Sequence, residues 1–242
     1  MMINVNIEFL AKDAIRAVKR GDLIIVVDVL RCSSTIVTAI ANGAKAIIPV
    51  KTLDEARKIR AKNPDYLLAG ERGGLKPNGF DLGNSPPEYV REKIFGKTIV
   101  LTTTSGTKAL VNSRSAKWVI VGSFLNSRAV ANKAINVAYA ENMGISIVQS
   151  GTNGKFSLED FICAGAIVSR LPKELIKISD SAQAALLTFE YIKNNLYANL
   201  AKSEHSRKLI DLGFNEDIKF SSQIDVYDVV PLYRDGVIVK WD

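Results

Sequence analysis

The sequence predicts an α/β fold: a mixed, largely parallel sheet covered by helices on both faces and finished by a C-terminal β-hairpin. Three observations predict it. Short β-branched runs alternate with helical patterns almost throughout the chain, as in strands joined by crossover helices. Several of these runs are apolar at consecutive positions, which suits strands buried on two sides. The last stretch, VVPLY, Arg234-Asp235-Gly236 and VIVK, reads instead as two strands around a glycine-containing turn.

In chain order the strand candidates are Ile3 to Glu8, Leu23 to Val29, Ala46 to Val50, Thr98 to Leu101, Trp118 to Gly122 and Ile145 to Gln149. Helix starts fall between and after them. Ser85-Pro-Pro-Glu88 offers a cap, first-turn prolines and a third-position acid, and Ser157-Leu-Glu-Asp160 offers a cap with acids at the positive end of the helix dipole. Ser203 and Gly213 bracket a further helix through HSRKLIDL. Placing Lys45 on Lys117 aligns CSSTIVTAIANGAKAIIPV with TSGTKALVNSRSAKWVIVGS, a similarity that duplication or convergence on one βαβ solution would each produce.

With 242 residues, 47% of them hydrophobic, one domain with a sizeable core is the default. No apolar run reaches the roughly 18 residues of a membrane span, and the first twenty residues lack a signal-peptide pattern, so a cytoplasmic protein with no membrane partner is expected. Cys32 and Cys163 lie far apart and outside any CxxC pattern, which points away from a disulfide framework or a thiolate zinc site. The formal charge of +7 raises the question of nucleic acid. Basic and acidic residues are interleaved, however, and aromatics are only 7%, so the excess charge fits a small anionic ligand rather than a nucleic-acid partner. Self-association is left open.

In open α/β sheets ligands bind beyond the carboxyl ends of strands. Here those positions hold Asp28-Val-Leu-Arg31-Cys32-Ser33-Ser34-Thr35, Thr102 to Thr107, and Ser150 to Asp160. The segment Gly70 to Ser85, with five glycines and no regular period, is long enough to be a functional loop. Hydroxyls and amides gathered at helix starts are suited to phosphate.

DVLRCSSTI, GERGG followed by GFDLGNSPPEY, TTTSGTKAL, GSFLN and GKFSLEDFICAG, in this order from Asp28 to Gly165, resemble the motifs of the 2-phosphosulfolactate phosphatase family. SEHSRKLIDLG and VVPLY are similar to its C-terminal part. Two positions depart from the pattern: Cys32 stands where alanine is expected and Ser105 where asparagine is expected. The resemblance implies a magnesium-dependent hydrolase, a phosphoric monoester hydrolase releasing phosphate from 2-phospho-3-sulfolactate, a step toward coenzyme M.

A substrate carrying phosphate, sulfonate and carboxylate needs cations and N–H donors, which Arg31, Arg72 and Lys76 and the hydroxyl-rich turns supply. Asp28, Arg31 and Arg72 are the expected catalytic residues, and Ser33, Ser34, Thr35, Asn84, Thr103, Thr104 and Thr107 the expected substrate-binding ones. Asp28, Glu71, Glu159 and Asp160 are the expected magnesium ligands; Asp81 reads more readily as closing a turn. His205, the only histidine, is expected in a surface helix, where a polar and a catalytic role both stay open. Common phosphatase designs fail on the letters: Leu30 stands where an Asp-x-Asp pair needs an acid, Thr38 stands where a Cys-x5-Arg loop needs arginine, and Arg-His-Gly and P-loop patterns are missing. Metal-activated water or the Asp28 carboxylate would serve as nucleophile, with water preferred.

Overall fold

The computed structural model describes residues 2–242, and its ten strands form one sheet. The strands are β1 (Ile3–Glu8), β2 (Leu23–Val27), β3 (Ala46–Val50), β4 (Leu67–Gly70), β5 (Thr98–Thr102), β6 (Val119–Gly122), β7 (Ile145–Gln149), β8 (Ile176–Ile178), β9 (Pro231–Arg234) and β10 (Val237–Lys240). The expected α/β class, the mixed and largely parallel sheet and the C-terminal hairpin are all present. The sheet is doubly covered because β2 is apolar on both sides: Leu23, Ile25 and Val27 enter one hydrophobic cluster, and Ile24 and Val26 enter another. The first cluster includes α6 (Ser127–Glu141), α7 (Leu158–Val168) and α8 (Asp180–Ile192); the second includes α1 (Ala14–Arg20), α2 (Cys32–Ala41) and α5 (Gly106–Ser113).

The strand order is β4-β5-β3-β10-β9-β6-β2-β7-β1-β8. Strands β4, β5 and β3 are mutually parallel, as are β6, β2, β7, β1 and β8. The hairpin lies between these blocks and pairs antiparallel with both β3 and β6. Three antiparallel steps in succession reverse direction, so the two parallel blocks run in opposite senses. In a flat sheet their carboxyl ends would sit at opposite edges. Strand twist of about 20–25° per step turns the blocks toward each other, and residues following β2, β4, β5 and β7 meet at one cavity.

The internal similarity extends further than the aligned letters. With α3 (Leu53–Lys62), the series β2-α2-β3-α3-β4 has the same element order as β5-α5-β6-α6-β7. The two series exchange their first strands, β2 lying between β6 and β7 and β5 between β3 and β4. Each last strand runs into a tight turn, Arg72–Leu75 or Thr152–Lys155, closed by reciprocal backbone hydrogen bonds of 3.0–3.2 Å. The central residues Gly73, Gly74, Asn153 and Gly154 have positive φ, as this turn geometry requires.

Local chemistry corrects some boundaries. The run from Leu23 leaves the sheet after Val27, because the Asp28 carbonyl accepts from the Ser33 amide at 2.7 Å and begins α2 instead. The Ser85-Pro-Pro-Glu88 start produces only a single 3-10 turn, Pro86–Glu88. Its would-be cap, Ser85 Oγ, donates to Asp217 at 2.6 Å, and Glu88 accepts from the Gly83 amide rather than returning to Ser85. Ser157 and Ser203 do cap α7 and α10 (Glu204–Asp211). Among the described residues no helix is long and apolar enough to cross a membrane.

Candidate active site

Asp28 sits where β2 gives way to α2, inside a cage of short-range hydrogen bonds. Its amide donates to Ser33 Oγ at 3.1 Å, and the Cys32 amide donates to its Oδ1 at 3.3 Å. Ser34 Oγ donates to the Val29 carbonyl, and the Val29 amide donates to Asp160 Oδ1 at 2.8 Å. The α2 and α7 starts are thereby locked together. The Leu30–Arg31 peptide within this loop is cis.

The cavity encloses about 330 Å³, and Asp28, Glu71, Glu159 and Asp160 all line it. Glu71 is fixed by the Thr104 amide at 2.7 Å and the Gly74 amide at 2.9 Å, which ties the end of β4 to the start of α5. Asp160 also accepts from Gly151 at 3.3 Å. Glu159 is 2% exposed and has neither a hydrogen bond nor an ion pair from its side chain among the described residues. Burial pushes the Asp28 carboxyl up to about 7, the Glu71 and Glu159 charges push the same way, and the Cys32 amide opposes them. Burial, then Asp28 and Glu159, hold Asp160 well above the usual carboxylate range. This collection of buried acids calls for a positive charge or for protons.

Hard oxygen donors suit magnesium, which binds through one or two carboxylates and keeps several waters. No three His, Cys, Asp or Glu groups converge as a ready-made metal cage among the described residues. The donor set therefore fits an ion held partly by water and substrate, with Asp28 and Glu159 carrying the fewest protein hydrogen bonds. Burial raises the Cys32 thiol well above its ordinary value, with Asp28 adding to the effect, so this position is a packed thiol rather than a nucleophile.

The expected residues divide into two groups. Asp28, Arg31, Glu71, Arg72, Asn84, Thr103, Thr104, Glu159 and Asp160 all line the cavity. Ser33, Ser34, Thr35 and Thr107 do not: their hydroxyls are used within the fold, Ser33 on the Asp28 amide, Ser34 on Val29, Thr35 on the Asn84 carbonyl at 2.9 Å and Thr107 on Thr103 at 3.1 Å. These four shape the walls behind the site. The Thr107 amide turns back to Thr103 Oγ1 and the Lys108 amide to the Ser105 carbonyl, leaving the Ser105 and Gly106 amides without a protein acceptor among the described residues. Asp81 pairs with Arg60 and the Leu68 amide away from the cavity, and Lys76 is an exposed side chain outside it.

The arginines are more committed than their motifs suggest. Arg31 is buried, donates to Asp217 Oδ2 at 2.7 Å and to the Gly74 carbonyl, and stacks on Phe214 at 4.3 Å. Ser85 holds the other oxygen of Asp217. Arg72 donates to the Glu71 carbonyl at 2.6 Å, the Thr102 hydroxyl at 2.9 Å and the Lys51 carbonyl at 3.2 Å. With three acceptors inside the fold, Arg72→Lys is expected to lower stability by about 1–2 kcal/mol, read by thermal unfolding. A loss of turnover with unchanged unfolding would return Arg72 to direct substrate binding.

The sequence did not disclose the C-terminal side of the cavity. His205 and Lys208 on α10 line it, and Asp217 on α11 (Asn215–Ser221) anchors Arg31. The Thr152–Asn153 corner lines it too, within a segment already singled out after β7. The isolated histidine and the SEHSRKLIDLG segment carried a signal without a position; an acid in a short helix far from the motifs carries none.

An α/β sheet whose carboxyl ends bring buried acids, free helix-start amides and hydroxyls to one cavity defines an enzyme of the phosphate-ester-handling class. The chain belongs to the 2-phosphosulpholactate phosphatase family, whose model matches residues 9–236. It is 48% identical to the probable 2-phosphosulfolactate phosphatase of Thermotoga petrophila over 216 residues, 89% of this chain and 90% of that one. Another, from Clostridium beijerinckii, is 37% identical over 242 residues and 98% of this chain, 99% of its own. A third, from Caldanaerobacter subterraneus, is 44% identical over 220 residues, 89% of each chain. The name of the family makes its chemistry that of phosphoric monoester hydrolases.

Gly106 shows how closely the two halves of this site meet. A Cβ there would stand 2.4 Å from Cys32 Cβ and 2.7 Å from Asp28 Oδ2. Gly106→Ala is therefore expected to cost about 1–3 kcal/mol through overpacking, measured as a lowered unfolding midpoint; wild-type stability would show that α5 can withdraw from α2 freely.

Proposed function

We propose that this chain hydrolyses 2-phospho-3-sulfolactate to sulfolactate and inorganic phosphate with magnesium as its metal, the kind of step that leads toward coenzyme M. The observation that carries the reading is the cavity itself, in which Asp28, Glu71, Glu159 and Asp160 face a helix start with free amides. Family membership and the names of the relatives support the substrate. Asp28 and Glu159 would hold the ion. When bound, magnesium supplies positive charge that polarises the phosphoryl oxygens and relieves the repulsion among the acids.

The chain's own groups do the rest. Amides at Ser105 and Gly106 and the hydroxyls of Thr103 and Thr104 receive phosphoryl oxygens at the positive end of α5. Glu71 holds the Thr104 amide in place, and Asp217 fixes the Arg31 guanidinium in the cavity wall. Water attacks phosphorus in line, the phosphorus–ester oxygen bond breaks, and the carboxylate cluster takes a proton from the water and passes it to the departing alkoxide. Phosphate release from a panel of phosphorylated hydroxy acids, with and without the sulfonate, tests the reading. The sulfonated member should be turned over best; a clear preference for an unsulfonated ester would overturn the substrate assignment.

A further inference from the structure

The cavity is electrically divided, and the division points to a specificity residue. The acids come from the ends of β2 and β4 and from the first turn of α7. Any second anion on a substrate is repelled by that side and must lie against a wall that offers an uncommitted cation. Arg31 is neutralised by Asp217, and the Arg72 guanidinium is spent on three oxygens of the fold. The remaining cationic side chain in the cavity wall is Lys208, which makes no ion pair among the described residues.

The helix that carries Lys208 is fixed in place, although the lysine side chain itself is exposed. It lies on α10 three residues after His205, on the same helical face. His205 Nε2 approaches the Leu30 carbonyl at 2.8 Å, and because a carbonyl only accepts, that nitrogen carries the hydrogen. This bond ties α10 to the loop that follows Asp28. Leu209, also in the wall, packs in the direction of Gly74, where an added Cβ would come within 3.7 Å of its Cδ2. The helix is thus pinned to the loops after β2 and β4, which places Lys208 in the wall of the cavity that would hold a phosphoester.

We propose that Lys208 is the specificity-determining residue that receives the second strong anion of the substrate, a sulfonate one carbon from the phosphate-bearing carbon, with His205 as the residue that positions α10. The inference rests on the phosphatase reading above for the phosphate end, but it concerns a side chain of α10 that the phosphate end does not use. An ammonium on a flexible stem suits a sulfonate, which is anionic at every pH of interest and presents three equivalent oxygens rather than a planar pair.

The test uses binding as well as turnover. Sulfolactate and lactate differ by the sulfonate alone, and calorimetric titration of the intact protein, with magnesium present, gives the preference of wild type, Lys208→Met and Lys208→Arg. Wild type should prefer sulfolactate, Lys208→Met should lose that preference roughly tenfold or more, and Lys208→Arg should restore part of it. The same three proteins, given 2-phospho-3-sulfolactate, should show the loss chiefly in KM. A wild type that binds the two acids equally, or a folded Lys208→Met that keeps its preference, overturns the proposal. Failure of wild type to release phosphate from the sulfonated ester would instead sink the phosphatase reading while leaving the binding comparison to decide on Lys208.

Discussion

Asp28→Asn is expected to lower kcat by roughly 10³-fold or more, since it removes a charge from the point where the proposed metal and phosphoryl group would meet. Asparagine has nearly the same shape and keeps an oxygen for the Cys32 amide, so the loop should hold. The variant should also be more stable than wild type in the absence of metal at pH 8. There the wild-type carboxyl, pushed up to about 7 by burial and by Glu71 and Glu159, is forced to carry a buried charge that the amide lacks. Lower turnover with a higher unfolding midpoint is the signature of a residue kept for chemistry at the expense of the fold. Near-normal kcat in a folded variant would reassign Asp28 to structure.

Removal of magnesium should abolish turnover, and its return should raise the unfolding midpoint in a pH-dependent way. The sign follows from the direction of the Asp28 shift. Its folded value lies above the unfolded one, so between the ordinary carboxylate value near 4 and about 7 the native state binds more protons. Stability of the metal-free protein therefore falls as pH rises through that window, and the penalty is complete above it. Magnesium competes with the proton for the same oxygens. The stabilisation behind that shift should be larger at pH 8 than at pH 5, approaching about 2.7 kcal/mol when the ion is at 100 times its Kd. Full turnover after chelation with verified metal content, together with no magnesium shift at pH 8, would remove the metal from the mechanism.

Much of this was legible in the letters because parallel strands buried on both sides leave long apolar runs and because their ends carry the chemistry. Asp28 and Glu71 are each the first polar residue after an apolar strand, Asp160 lies in the first turn of a helix with a serine cap, and each lines the cavity. What the letters could not say is which hydroxyls face in. Ser33, Ser34 and Thr35 stand in the same motif as Asp28 and Arg31, yet α2 begins there, and successive residues on a helix point about 100° apart. Their hydroxyls turn to backbone partners instead. Asp217 carried no signal at all, and the segment that holds Lys208 was legible as a helix but not as a cavity wall, because both depend on α10 and α11 folding back across the motifs. Such a contact leaves no mark on local spacing.

The placement of the C-terminal hairpin has a consequence for how firmly the site is held together. Strands β9 and β10 are the sheet connection between the two parallel blocks, meeting β3 on one side and β6 on the other. Glu71 follows β4 in one block and Asp160 follows β7 in the other. A chain in which the hairpin frays therefore keeps every motif residue and its local hydrogen bonds, yet loses the register that brings the two groups of acids to one cavity.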